Sequence, residues 1–223
     1  VTSGPFLIGG GREPGGVLAT HRPFVAACGA GTIAVLAADE GDGVDEERWR
    51  AALTGAGASA VRVCVLSRAR PTIPDVAGAA GVYVAGGPTP LYAALLDGWR
   101  PPPGIPYAGF SAGAAVAAAR AIVGGWRAPG GEGVCPQDAG EGLDDVTIAR
   151  GLGLVPFAVD VHAGQWGTLG RLVHAVGSGL VPAGWALDEG TLLAGGEVHG
   201  TGAAWHVAAR PGGGAAVRRV TAC

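Results

Sequence analysis

Short apolar runs alternate with stretches of helical periodicity through the first 120 residues. Residues 6–8 (Phe-Leu-Ile) run into Gly9, Gly10 and Gly11, the pattern of a strand that ends in a turn. Residues 32–38 (TIAVLAA) form an unbroken apolar run of buried-strand length. Val44, Trp49, Leu53 and Ala56 then recur at helical spacing across 45–57, and Asp45, Glu46 and Glu47 complement the positive end of a helix there. Residues 60–67 and 81–85 read as two further strands, and 89–99 as an amphipathic helix through Leu91, Tyr92, Leu95, Leu96 and Trp99. A short strand over 107–110 and an Ala-rich helix over 112–121 follow. Strands alternating with helices imply right-handed crossovers and a parallel sheet covered on both faces.

The second half is patterned differently. Residues 130–145 are polar, Gly-rich and acidic, which predicts a mobile surface loop. Residues 157–162 predict a strand, and 167–180 a helix with Leu169, Leu172, Val173 and Val176 on one face. From Trp185 onward, short strand-like runs separated by Gly-rich turns predict an antiparallel extension. No internal repeat or linker interrupts the chain. The expectation is one α/β domain over 1–223: a three-layer sandwich with a mostly parallel central sheet and short antiparallel C-terminal strands.

Composition narrows the function classes. With 48% hydrophobic residues in 223, the chain can bury a sizeable core, which rules out global disorder. All 15 basic residues are Arg against 18 acids, for a net charge of −3, and they form no stripe that would track a phosphate backbone. A nucleic-acid partner is therefore not expected. Cys28, Cys64, Cys135 and Cys223 are widely spaced, with no C-x-x-C and no His at zinc-ligand spacing, so neither a metal nor a disulfide framework is expected. A reducing cytoplasm is the corresponding expectation. No apolar run approaches membrane-span length, and no basic segment followed by an apolar one marks the start for secretion.

The candidate chemistry begins at residues 109–113, Gly-Phe-Ser-Ala-Gly, which match G-x-S-x-G between a predicted strand and a predicted helix. A serine on such a bend is lifted above the sheet edge, and the N–H of Ala112 is then available to an oxyanion. A serine nucleophile needs a base, usually His held by a carboxylate. Of the five His, His21 sits in a helix-start context beside Arg22 and Pro23, His174 flanks a helix face, and His199 and His206 fall among the C-terminal strands. His162 ends an apolar run just before a helix, where open α/β sheets place their sites. Asp160 lies two residues earlier, on the same face if the segment is extended. Asp188 and Glu189 end a further strand; neighbouring strand residues face opposite ways, so one of the two at most approaches His162. Gly87, after Gly86 and before Pro88, is a second oxyanion donor if that turn lines the site, and equally serves as an ordinary strand-to-helix turn. Gly9, Gly10 and Gly11 lack the Lys-Ser/Thr or G-x-G-x-x-G frame of a nucleotide loop.

Residues 83–87 (YVAGG), 109–114 (GFSAGA), 160–162 (DVH), Arg171-Leu172 and 184–191 (GWALDEGT) together resemble the dipeptidase E and cyanophycinase group of serine peptidases, related in fold to class I glutamine amidotransferases. The resemblance implies a Ser111-His162-Glu189 triad, choosing Glu189 over Asp188, with no cofactor. It implies a serine hydrolase acting on a small peptide or peptide-like amide. Where cyanophycinases carry an Arg-rich stretch after D-x-H, this chain keeps only Arg171. Val161 stands where the group has Gln, and Pro88 where a polar residue follows Gly-Gly; Trp166 and Thr168 belong to the altered run. The triad and fold thus read as kept while the substrate pocket is changed. Arg171 is expected either to pair with a substrate carboxylate or to pair with Asp160 or a surface acid, and Asp160 to bind a substrate amino group. The competing readings are a silent binding protein on the same scaffold, an amidotransferase-like domain, which would need Cys at 111, and an α/β-hydrolase using Asp138 or Asp145. No membrane partner is expected; the oligomeric state stays open, a homodimer among the options.

Overall fold

The computed structural model describes residues 4–222. The first half contains β1 (Phe6–Ile8), α1 (Pro14–Cys28), β2 (Thr32–Ala38), α2 (Glu46–Gly55), β3 (Ala60–Leu66), β4 (Gly81–Val84), α3 (Thr89–Leu95) and β5 (Tyr107–Phe110). Next come α4 (Ala112–Val116), β6 (Arg120–Gly124), β7 (Thr147–Arg150), β8 (Ala158–Val161) and α5 (Leu169–Gly177). The chain finishes with β9 (Ala183–Leu187), β10 (Thr191–Ala194), β11 (Glu197–Gly200), β12 (Ala203–Ala209) and β13 (Ala215–Thr221).

The main sheet has the order β11-β10-β1-β5-β4-β2-β3, with β1, β5, β4, β2 and β3 parallel and β10 antiparallel to both of its neighbours, β1 and β11. Side chains alternate across a strand, so successive residues serve different layers. Ile33 and Val35 pack with Phe24 of α1 and with Trp49 and Leu53 of α2, whereas Ala34 and Leu36 pack with Tyr92 of α3 and Val116 of α4. That alternation makes the three layers. A second sheet, β13-β12-β9-β8, is covered by α5 through Leu172 and Val176, and β6 pairs with β7 as a two-stranded ribbon. The C-terminal strands therefore divide between two sheets rather than extend one. No helix of the described residues is long and apolar enough to cross a membrane.

Three local expectations are corrected. His21 lies inside α1 rather than at a helix start, and Pro23 is also internal to that helix. Pro14 occupies its first turn, where no backbone N–H is needed, and the helix is held by its buried face of Thr20, His21, Phe24 and Val25. The Ala-rich helix stops at Val116 because the segment after β7 claims its carbonyls: Leu152 N–H donates to Val116 (2.7 Å) and Leu154 N–H to Ala117 (2.8 Å). Tertiary pairing overrides alanine's helix propensity there. The 130–145 segment is tied down rather than loose. It contains a 3-10 turn, Gln137–Ala139, Arg127 pairs with Asp144 and Asp145 at its end, and Glu141 accepts from the Thr89 hydroxyl at 2.9 Å.

Among the described residues Cys28, Cys64 and Cys135 are free thiols, and Cys223 lies outside them. Burial raises the Cys28 thiol to about 12, so it is not a thiolate at neutral pH.

Candidate active site

Ser111 sits between β5 and α4 with φ 53° and ψ −114°, a conformation sparsely populated by residues other than Gly. The surrounding glycines make this bend sterically feasible. A Cβ at Gly109 would lie 2.2 Å from the Gly113 carbonyl oxygen, and one at Gly113 would lie 2.1 Å from that of Val84. The Ser111 N–H donates to the Ile8 carbonyl at 2.8 Å, fixing the bend to β1. Its hydroxyl caps no helix N–H and instead meets His162 Nε2 at 2.8 Å.

His162 follows β8 with φ 57°, so strand alternation ends at Val161. Its Nδ1 lies 2.8 Å from Glu189 Oε1, in the connection between β9 and β10. A carboxylate accepts, so Nδ1 carries the proton, Nε2 is the acceptor, and the Ser111 O–H donates to it. Burial, partly opposed by Glu189, lowers the pKa of His162 below the ordinary imidazole value. The ring is therefore neutral at pH 7, the state a general base requires. The indole of Trp166 stacks on it with centroids 3.9 Å apart and planes 9° apart, although Trp166 itself is 46% exposed.

The glycine run after β1 is a part of this site that periodicity did not reveal. A Cβ on Gly10, which has φ +109°, would fall 2.2 Å from His162 Cε1, and one on Gly9 would fall 2.2 Å from the Asp188 carbonyl oxygen. Gly9 also accepts from the His162 N–H at 3.1 Å, and Gly10 from the Gly190 N–H at 2.9 Å. The run is the floor on which the imidazole and the Glu189 segment lie. Three glycines in a row after a strand were its only sequence signal.

A cavity of about 760 Å³ opens over Ser111, His162 and Glu189, with Gly87, Pro88 and Trp166 on its walls. A Cβ on neighbouring Gly86 would stand 3.4 Å from the Ser111 Cβ, so the Gly86-Gly87 turn packs against the serine. Ala112 is the first residue of α4, where the N–H has no intrahelical partner. The helix is too short for a large dipole, and local N–H donation is its contribution.

Asp160 and Arg171 do not face this cavity: Arg171 takes the second of its two expected alternatives, the pair with Asp160, and the expected contact of Asp160 with a substrate amino group is corrected. They are 2% and 4% exposed and form a two-pronged pair, Arg171 Nε to Asp160 Oδ2 at 2.9 Å and Nη2 to Oδ1 at 2.7 Å. Arg171 Nη1 donates to the Ala139 carbonyl at 2.6 Å, and Asp160 Oδ1 also accepts the Val161 N–H at 2.9 Å. The left-handed turn at His162 is the reason: it swings the imidazole away from the face that Asp160 occupies. Val161 and Thr168 are buried too, the Thr168 hydroxyl donating to the Val161 carbonyl at 2.6 Å. Of the altered positions, Pro88 and Trp166 line the cavity.

Asp188 is turned from His162 and accepts from the N–H groups of Gly164 and Ala203 and from the Trp205 indole. Asp145 is paired with Arg127, and Glu189 occupies His162 Nδ1, so the Asp145 alternative has no partner His at this site. His21 bonds Tyr83 under the opposite helical layer, His206 packs on Trp185, and His199 lies beside Glu197.

Fold and site together define a mixed α/β protein with a serine on a strand-to-helix bend, hydrogen-bonded through His to Glu. No family model and no curated protein matches the sequence. Among solved structures, the chain is similar to a crystal structure of a Listeria monocytogenes EGD-e protein provisionally described as a peptidase E. The two are 15% identical, the match covers 99% of this chain and 100% of that one, and the TM-score is 0.49.

Proposed function

We propose that the protein is a serine hydrolase that cleaves a small peptide or peptide-like amide through an acyl-enzyme on Ser111. The observation that carries this reading is the unbroken chain of two 2.8 Å contacts from Ser111 Oγ through His162 to Glu189. In this reading Ser111 attacks the carbonyl carbon while His162 Nε2 takes its proton. Glu189 holds the ring in the tautomer that can accept that proton and stabilises the imidazolium formed. The N–H groups of Ala112 and Gly87 receive the oxyanion. Collapse of the tetrahedral species breaks the C–N bond, and the imidazolium passes its proton to the departing amine. Water then attacks the ester, giving its proton to His162, and Ser111 leaves with that proton restored. The chemistry asks for no metal or organic cofactor.

A fluorophosphonate probe tests the reading directly. Covalent labelling of the wild-type chain is expected, with none in Ser111→Ala and a loss of at least ~100-fold in rate in His162→Ala. Because burial lowers the His162 pKa, the labelling rate should fall with acidification at a lower pH than the titration of an ordinary imidazole. Labelling that survives in Ser111→Ala would remove the serine from the mechanism. A dipeptide library turned over by the wild type and not by Ser111→Ala would then define the amide class.

A further inference from the structure

The cavity over Ser111 continues into a second depression of about 520 Å³ between α1 and α2, joined to it along Gly11, Arg12, Arg48 and Phe110. Val17, Leu18, Trp49 and Ala52 give this groove an apolar lining. Among the described residues its charged groups are two guanidiniums, Arg12 and Arg48, and no carboxylate lines it. His21, also at its wall, has both ring nitrogens engaged, by the Val17 carbonyl and the Tyr83 hydroxyl. Among the described residues neither Arg12 nor Arg48 forms an ion pair. Glu13 and Glu40 line the Ser111 cavity instead, and Asp45 is spent capping α2, accepting the Arg48 N–H at 3.0 Å.

Arg48 is also held in place. Its guanidinium carbon stands 4.5 Å from the Trp49 ring centroid and 5.7 Å from that of Phe110, the residue next to the serine. Stacking of this kind fixes the fork while leaving its N–H groups for a planar oxyanion. Burial and the neighbouring Arg12 charge, partly offset by Tyr83 and Asp45, disfavour the positive charge of Arg48, and a bound anion would favour it.

We infer that this groove is a specificity subsite for an apolar residue carrying a free carboxylate, the C-terminal residue of a short peptide whose scissile carbonyl lies at Ser111. The apolar side chain fills the space between α1 and α2, and the carboxylate meets Arg12 and Arg48. The inference rests on the hydrolase reading for its substrate, but the groove's affinity is measurable without turnover.

The test is equilibrium binding to the full-length chain by calorimetry, with N-acetyl-leucine, its amide, N-acetyl-glycine and 4-methylpentanoate as probes. N-acetyl-leucine should bind at least ~10-fold more tightly than N-acetyl-leucinamide, which lacks the anion, and ~5-fold or more tightly than N-acetyl-glycine, which lacks the apolar group. Arg48→Gln should remove the preference for the acid over the amide. Arg12→Gln, at an exposed position ahead of α1, should weaken it in the same direction with the fold unaltered by circular dichroism. Equal binding of acid and amide, no saturation by N-acetyl-leucine at millimolar concentration, or an unchanged preference in both Arg variants would overturn the subsite. Binding of 4-methylpentanoate as tight as that of N-acetyl-leucine would overturn the assignment to a peptide in favour of a simple apolar acid. Loss of probe labelling at Ser111 with this binding intact would refute the hydrolase reading alone.

Discussion

At Gly10 the site depends on the absence of a side chain. A methyl group there would overlap the His162 ring, and its φ of +109° is itself costly for any L-residue. Gly10→Ala is therefore expected to reduce the fluorophosphonate labelling rate by at least ~100-fold, since displacement by about 1 Å is enough to uncouple a proton-transfer pair. Gly15→Ala, in the first turn of α1 with open space around it, is the control and should label at the wild-type rate. Equal rates in the two variants would show that the glycine run is not the floor of the site. The contrast also marks what the sequence discloses at this scale. The serine bend is readable because small residues flank a single hydroxyl between a strand and a helix. Strand parity does not separate Asp188 from Glu189, and Asp160 does not share a face with His162, because parity holds only for extended backbone and His162 is left-handed. The need for Gly9 and Gly10 arises from segments more than 150 residues away in the chain, which no local pattern records.

The elements legible in the sequence are those whose burial is periodic. Apolar spacing indicates β2, and apolar spacing with an acidic first turn indicates α2; both lie within two residues of the indicated limits. Elements defined by long-range partners were not. α1 contains Gly15, Gly16 and Pro23, all poor helix formers, and is kept helical by packing; β6, paired with β7, begins within the last two residues of the stretch whose alanines predict helix. The Asp160–Arg171 pair is the element-scale counterpart. It ties β8 to α5 and, through the Ala139 carbonyl, to the 125–146 segment beside the cavity. Removing one partner leaves an uncompensated buried charge, so Arg171→Met is expected to cost about 3–5 kcal/mol in urea unfolding. The double variant Asp160→Asn/Arg171→Met should recover part of that loss. If Arg171→Met instead left stability unchanged, the pair would not be the clamp its burial implies.

Across the whole molecule, the two largely buried histidines belong to different layers and give acid sensitivity of the same sign. His21 lies between the main sheet and α1, its Nδ1 donating to the Val17 carbonyl at 2.7 Å and its Nε2 accepting from the Tyr83 hydroxyl at 2.8 Å. Burial is the largest cause lowering its pKa from 6.5 to about 4. The native state therefore refuses a proton that the unfolded chain accepts, and unfolding takes up protons throughout that interval. The contribution of neutral His21 is fully present above pH 6.5 and is lost as pH falls toward its native pKa. At about 1.4 kcal/mol per pH unit the loss is on the order of 3 kcal/mol. His162, lowered in the same direction by burial, adds to the slope. His21→Gln keeps an acceptor for Tyr83 but cannot titrate. Urea unfolding at pH 7 and pH 4.5 should show a larger stability loss for the wild type than for this variant, the difference being on the order of 2–3 kcal/mol. Identical losses would mean that position 21 becomes protonated within the folded protein, and hence that the layer between the main sheet and α1 admits water and charge that its packing excludes.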